Sequence, residues 1–265
     1  MLNKNIRLYF LFSLGLTWLL VLPQIFSHYG IAKFGLSDNW HFLGALGPIV
    51  AAFYVAKKTG FLSNWCTGLI NFRVGAGWLS IAILSPIVLF FIGYLVAFLI
   101  ASPIANIDSL IRDGTINPGW VYISLVSAIV YGVGEEAGWR GFALPVLQNK
   151  MNALKATLLL ATLHAIWHIP MFFYRFEFSV IMIIGFFSGL VAGAIWFTFI
   201  YNSTNGSTLM VIIWHSVWNI VNQFAMLLSD VILATMSTCV MLLAIYVIIK
   251  WGPESLSSKP RYKFS

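Results

Sequence analysis

Charge is scarce in this sequence. Of its 265 residues only 9% are Asp, Glu, Lys or Arg, against about 25% in a typical soluble domain. So few charges cannot coat a water-facing surface of this size. Acidic residues are rarer still, 8 against 15 basic ones. The net charge of +7 sits in loops and tails, where it meets lipid headgroups. Nothing resembles a soluble nucleic-acid module, so no nucleic-acid partner is expected. Cysteine is limited to Cys66 and Cys239, in different segments. That excludes a disulfide framework and a cysteine zinc motif, and both read as buried thiols. Internal repeats, low-complexity tracts and linkers are also missing. The reading is a single membrane domain over 1–265.

What is abundant is apolar length: 60% of the residues are hydrophobic and 16% aromatic. Eight runs approach the ~20 residues a helix needs to cross hydrocarbon: 8–28, 40–56, 77–103, 120–144, 155–174, 179–201, 207–228 and 230–250. The expected fold is therefore all-α, about eight transmembrane helices around a polar intramembrane cavity. The opening Met-Leu-Asn-Lys-Asn-Ile-Arg precedes a long apolar run without a small-residue cleavage site, and reads as the first span rather than a signal peptide. With eight spans, Lys4, Arg7, Lys57, Lys58, Arg73, Lys150, Lys155, Lys250, Lys259, Arg261 and Lys263 share one side. Only Lys33, Arg112 and Arg175 take the other, with Asp38, Asp108, Asp113, Glu177 and Asp230. That sorting puts both termini in the cytoplasm. The loop-poor chain reads as a protein of a bacterial plasma membrane. Residues 57–76 are expected in the cytoplasmic interface, and 251–265 as a flexible cytoplasmic tail.

Few ionisable residues remain inside spans: Glu135, Glu136 and Arg140 in the fourth, His164 and His168 in the fifth, His215 in the seventh. His41, at the start of the second, reads as interfacial. Charge in a bilayer costs several kcal/mol, so such residues face a protein interior or a wet cavity. Glu136 and Arg140 are four apart, as are His164 and His168, and His215 and Asn219, so each pair shares a helix face. Glu135 is rotated by about 100° from Glu136 and is free for another task. Gly134 and Gly138 would let a neighbouring helix approach closely. Trp139, Trp167, Trp214 and Trp218 read as core, and Asn222 as a helix–helix bond. Peptide hydrolysis needs a base for water, donors for an oxyanion and an acid for the leaving amine. A glutamate, two histidines and an amide meet those needs if three helices bring them together in the core over 120–222.

The segment Gly134-Glu-Glu-Ala-Gly-Trp-Arg-Gly-Phe142 resembles the EExxxR motif of the CPBP family, the type II CAAX prenyl endopeptidases and their bacterial relatives, also called Abi proteins. His164-Ala-Ile-Trp-His168 resembles its FxxxH motif, and His215-Ser-Val-Trp-Asn219 its HxxxN motif, in the family's order. The resemblance implies an eight-helix intramembrane endopeptidase acting on a membrane-associated peptide or protein. It implies that Glu135 and His168 activate water, that His215 and Asn219 form the oxyanion hole, and that Glu136 and Arg140 orient the motif. The family is described both as metallopeptidases and as metal-free glutamic peptidases. Here His164 replaces the usual phenylalanine, creating His-x-x-x-His, a spacing that also suits zinc. It lacks the glutamate adjacent to the first histidine in the soluble HExxH motif. The metal-free glutamate mechanism, with no required cofactor, is favoured. Zinc, with His164, His168, His215 and Glu135 as candidate ligands, is the alternative. The competing readings are a non-catalytic immunity or scaffolding protein that binds a peptide in the same place, and a proton-coupled transporter. The lack of repeat symmetry weakens the latter.

Overall fold

Several of the long helices begin where the chain offers a side-chain acceptor to an otherwise orphaned backbone N–H. Asn117 accepts from Trp120 N at 3.0 Å, Asn152 from Lys155 N at 2.9 Å, and Ser179 from Met182 N at 3.1 Å. Such caps are sequence-local start signals. The computed structural model describes residues 4–32, 34–175 and 179–264, apart from the side chains of Asp38 and Ile181. Lys33 and Glu177, both assigned to outer loops above, lie outside these. The helices are α1 (Lys4–His28), α2 (Leu46–Thr59), α3 (Leu62–Leu69), α4 (Ala76–Leu99), α5 (Ile107–Arg112) and α6 (Pro118–Gly138). They continue as α7 (Leu144–Gln148), α8 (Ala153–His168), α9 (Val180–Ser203), α10 (Thr208–Leu228) and α11 (Asp230–Ser255). A π-turn, Trp139–Ala143, joins α6 to α7, and 3₁₀ turns cover Asp38–Ala45 and Ile169–Phe173. Among the described residues there is no strand.

Among the described residues seven segments are long and apolar enough to cross a membrane: α1, α4, α10, α11, most of α9, Asn39–Thr59 and Ala153–Phe173. The eighth expected span corresponds to α6, of 21 residues, which carries the adjacent Glu135 and Glu136 and is not among the seven. Along α4 the stripe Leu84, Val88, Phe91, Leu95 and Phe98 is exposed. An outward face of that composition is solvated by hydrocarbon rather than water. The chain is an integral membrane protein of the all-α polytopic class.

α6 is the hub, packed between α2 and α10. A Cβ on Gly138 would stand 2.7 Å from the backbone of Pro48, and one on Gly134 would strike the Ala45 carbonyl. These are the two glycines whose spacing anticipated a close neighbour, and α2 is that neighbour. On the opposite side a Cβ on Gly132 would come within 3.1 Å of the Ile212 carbonyl of α10. Small residues substitute here for a hydrophobic driving force, which lipid cannot supply between helices. In the π-turn, Leu144 N–H donates to the Trp139 carbonyl, five residues back. The Trp65 indole of α3 donates to the Ala137 carbonyl at 2.7 Å, just where the ladder shifts.

Three expectations are corrected. The tail expected to be flexible is docked: Leu256 and Phe264 are buried, and Gln148 Nε2 donates to the Tyr262 carbonyl at 2.7 Å. Tyr262 N–H donates to Asn202 Oδ1 at 3.0 Å, and Arg261 Nε to the Gln148 carbonyl at 3.0 Å. A polar pair, Gln148 and Asn202, creates partners for an otherwise unpaired backbone, which no local pattern reveals. Cys66 is exposed rather than buried, because α3 turns Trp65 inward. His41 is buried rather than interfacial, hydrogen-bonded through Nδ1 to the Tyr174 hydroxyl.

Asn202 also donates to Gln148 Oε1 at 2.9 Å and to the Ser255 carbonyl at 2.7 Å. Asn202→Ala removes the acceptor and donors that hold the tail. Limited trypsinolysis in detergent is expected to cut the Arg261–Tyr262 bond at least about tenfold faster in the variant, the equivalent of losing roughly 1.4 kcal/mol of docking.

Candidate active site

The polar residues of three helices converge between α6, α8 and α10. Glu135 and Glu136 close the last turn of α6, Arg140 sits in the π-turn, His164 and His168 end α8, and His215 lies midway along α10. Glu135 is 4% exposed, Glu136 0% and His164 6%. Buried charges must be paired to persist.

Glu136 and Glu135 take different partners, as their different helix faces require. Glu136 Oε1 accepts from Arg140 Nη1 at 2.9 Å and from His215 Nδ1 at 2.8 Å. One carboxylate oxygen thus links two helices, while Oε2 is buried with no partner among the described residues. Arg140 also lies over the Phe197 ring, 4.7 Å from its centroid. Phe197 in turn packs at 5.3 Å against His215, so α9 braces both hydrogen-bond partners of Glu136. Glu135 Oε2 accepts from His164 Nε2 at 2.8 Å. His164 stacks on His168 at 4.9 Å and 28°, and packs against Trp139 at 4.9 Å. His168 is half-buried, its Nδ1 facing Met171 Sδ at 3.3 Å.

The structure therefore brings Glu135, Glu136, Arg140, His164, His168 and His215 together. Two overlapping groups have donor atoms within 4.8 Å of one another: Glu135 with His164 and His168, and Glu135 with Glu136 and His215. Either group offers the donor count that a metal ion requires. Asn219 lies one turn beyond His215 and is half-buried; among the described residues its side chain makes no hydrogen bond, and its carbonyl accepts from Gln223. Of the tryptophans, Trp139, Trp167 and Trp214 are fully buried, and Trp218 is half-buried and stacked on Trp214 at 5.2 Å. Asn222 Oδ1 is buried with no partner among the described residues.

Sequence reasoning missed a second polar group beside the first. The His41 ring packs 5.8 Å from Tyr131, whose hydroxyl is buried and unpartnered. Tyr131 is four residues before Glu135, so the shared face of α6 was visible in the spacing; the arrival of His41 and Tyr174 was not.

These features define a helical membrane protein with a buried carboxylate–imidazole centre. Residues 117–221 match the family described as "Type II CAAX prenyl endopeptidase Rce1-like". The chain is also 28% identical over 103 residues to "CAAX prenyl protease 2" of Methanococcus maripaludis, covering 36% of this chain and 38% of that protein. Through residues 117–221 the chain is similar to the type II CAAX prenyl endopeptidases. The matched stretch, 117–221, runs from the cap of α6 into α10 and contains every residue of the cluster.

Removing one partner of a buried ion pair strands the other charge and costs about 3–5 kcal/mol. Arg140→Ala is expected to destabilise the protein by that amount, read as a lowered thermal midpoint in detergent. Arg140→Lys, which retains the charge but not the fork, is expected to lose less.

Proposed function

We propose that this chain is an intramembrane endopeptidase of the CAAX type, hydrolysing a peptide bond in a membrane-associated peptide or protein. The observation that carries the reading is the meeting of Glu135 with three imidazoles inside a helical bundle. The relative from Methanococcus maripaludis is named as a CAAX prenyl protease. The chain spans 38% of its length.

Glu135 is held through Oε2 by His164 and keeps its other oxygen for a water shared with His168. The carboxylate takes the water's proton as the oxygen attacks the peptide carbonyl carbon. Burial strips water from this base and leaves its partners fixed. His215 is anchored through Nδ1 by Glu136, which leaves Nε2 as its free nitrogen. When Nε2 also carries a proton, the Glu136 carboxylate behind the ring balances the charge, and Nε2–H donates to the developing oxyanion. The Asn219 amide, one turn further along α10, supplies a second donor. Collapse of the intermediate breaks the C–N bond, and Glu135 returns its proton to the leaving amine. No cofactor takes part in these steps. Arg140 and Glu136 keep α6 and α10 in register. We read both termini as cytoplasmic, on the side of the basic loops, with membrane lipid as the surrounding partner.

The test reconstitutes the chain in liposomes with membrane-anchored peptides and reads cleavage products by mass spectrometry. Glu135→Gln and His168→Ala are each expected to lower the rate about 10²–10⁴-fold, and Asn219→Ala about 10²–10³-fold, with melting behaviour retained. Cleavage that survives Glu135→Gln overturns the proposal. Peptide binding that survives both substitutions in a parent that cuts nothing points instead to a non-catalytic immunity or scaffolding protein.

A further inference from the structure

The motif position filled by phenylalanine in the resembled pattern holds His164 here, and the reaction above uses it only to brace Glu135. We propose that His164 completes a three-ligand site for a zinc-type divalent ion, with Glu135 and His168 as the other ligands. The donor atoms of these three residues already lie within 4.8 Å of one another. His164 Nε2 and Glu135 Oε2 are 2.8 Å apart. Tetrahedral zinc, with ligands at about 2.0–2.1 Å, spaces them roughly 3.3 Å apart. The pair therefore needs to open by only about half an ångström, a small side-chain rotation.

Ring geometry and proton placement agree with this. His164 and His168 are one helical turn apart, and their rings are nearly parallel, 28° apart at 4.9 Å. The stacked rings keep both imidazoles on one face of α8, with a donor atom of each within reach of Glu135. Nδ1 of His168 faces Met171 Sδ at 3.3 Å, so its N–H is occupied there and Nε2 is free to ligate. Orientation of a ligating imidazole through its other nitrogen is the usual second tier of such sites. On metal uptake His164 carries its proton on Nδ1 instead of Nε2, with no net proton loss. The charge balance also favours a cation: Arg140 is paired with Glu136, whereas the Glu135 carboxylate meets an imidazole at Oε2. Two imidazoles and one carboxylate select zinc or cobalt over magnesium or calcium. Three protein ligands leave a fourth position open. As a corollary, an ion on Glu135 ties up the base, so zinc inhibits hydrolysis through His164; this corollary rests on the proposed peptidase reading, whereas the binding itself does not.

The test titrates the full chain in detergent, stripped of metal, with Co²⁺ followed by absorption and with Zn²⁺ followed by calorimetry. No substrate is present. The parent is expected to bind one ion per chain, with tetrahedral cobalt absorption and a thermal midpoint that rises with zinc. Altering even second-tier partners of a site costs 10–100-fold in affinity, so His164→Phe and His168→Gln are each expected to lose at least about 100-fold. Asn219→Ala is expected to bind as the parent does. If His164→Phe lacks a cooperative melt, His164→Gln, which keeps a polar partner for Glu135, is judged by the same criterion. Absence of saturable binding in the parent, or parent-like affinity in a folded His164 variant, overturns the site. Neither result touches the peptidase proposal, whose test reads cleavage alone.

Discussion

One negative charge with no exposed surface sets the terms for the rest of this molecule. Glu136 sits where neither water nor lipid can solvate it, and a single oxygen satisfies it by accepting from both Arg140 and His215. Leaving a charge unpaired in such surroundings costs more than most packing defects. The register of α6, the π-turn and α10 is therefore coupled: a slip of either helix strands the carboxylate. Glu135, on the next residue and a different face, inherits a fixed position from its neighbour and meets His164 on α8.

Close backbone packing makes that pairing reachable. Gly132, Gly134 and Gly138 let α2 and α10 approach α6 where it carries no side chain. The π-turn redirects the chain after Gly138, and the Trp65 indole takes up the Ala137 carbonyl beside it. Trp167 ties α8 to α1 through Thr17, which itself donates to the Gly44 carbonyl at 2.7 Å. These bonds anchor the helices that present His164 and His168. Polar groups are thus spent where helices must hold one orientation, and the remaining surface is left apolar for lipid.

Much of the fold was legible because a transmembrane helix is a local object. A run of apolar residues, a capping Asn or Ser, and the spacing of four between Glu136 and Arg140 are each readable without knowing the neighbours. The three motif pairs were legible for the same reason, as was the freedom of Glu135 to do a separate job. Partners across helices were not. Pairing of His215 with Glu136, and of His164 with Glu135, depends on rotation and depth of whole helices, which spacing leaves open. His41 read as interfacial because it starts a span, yet a 3₁₀ turn carries it inward to Tyr174. The tail read as flexible because it is polar and charged, yet Gln148 and Asn202 wait for it, 54 residues apart in the chain.

The amino-acid sequence alone determined that this is an α-helical membrane protein with a small set of intramembrane ionisable residues, and on which helix face each one lies. It did so because backbone hydrogen bonding within lipid must be satisfied inside each helix, which makes helix formation a matter of local composition. Only the tertiary structure decided which carboxylate meets which imidazole, that the chain after α11 is docked, and that His164 stands within ligand distance of Glu135. Those outcomes depend on how close the glycine faces allow helices to come and on where a buried charge finds its counter-charge, and both are properties of the assembled bundle.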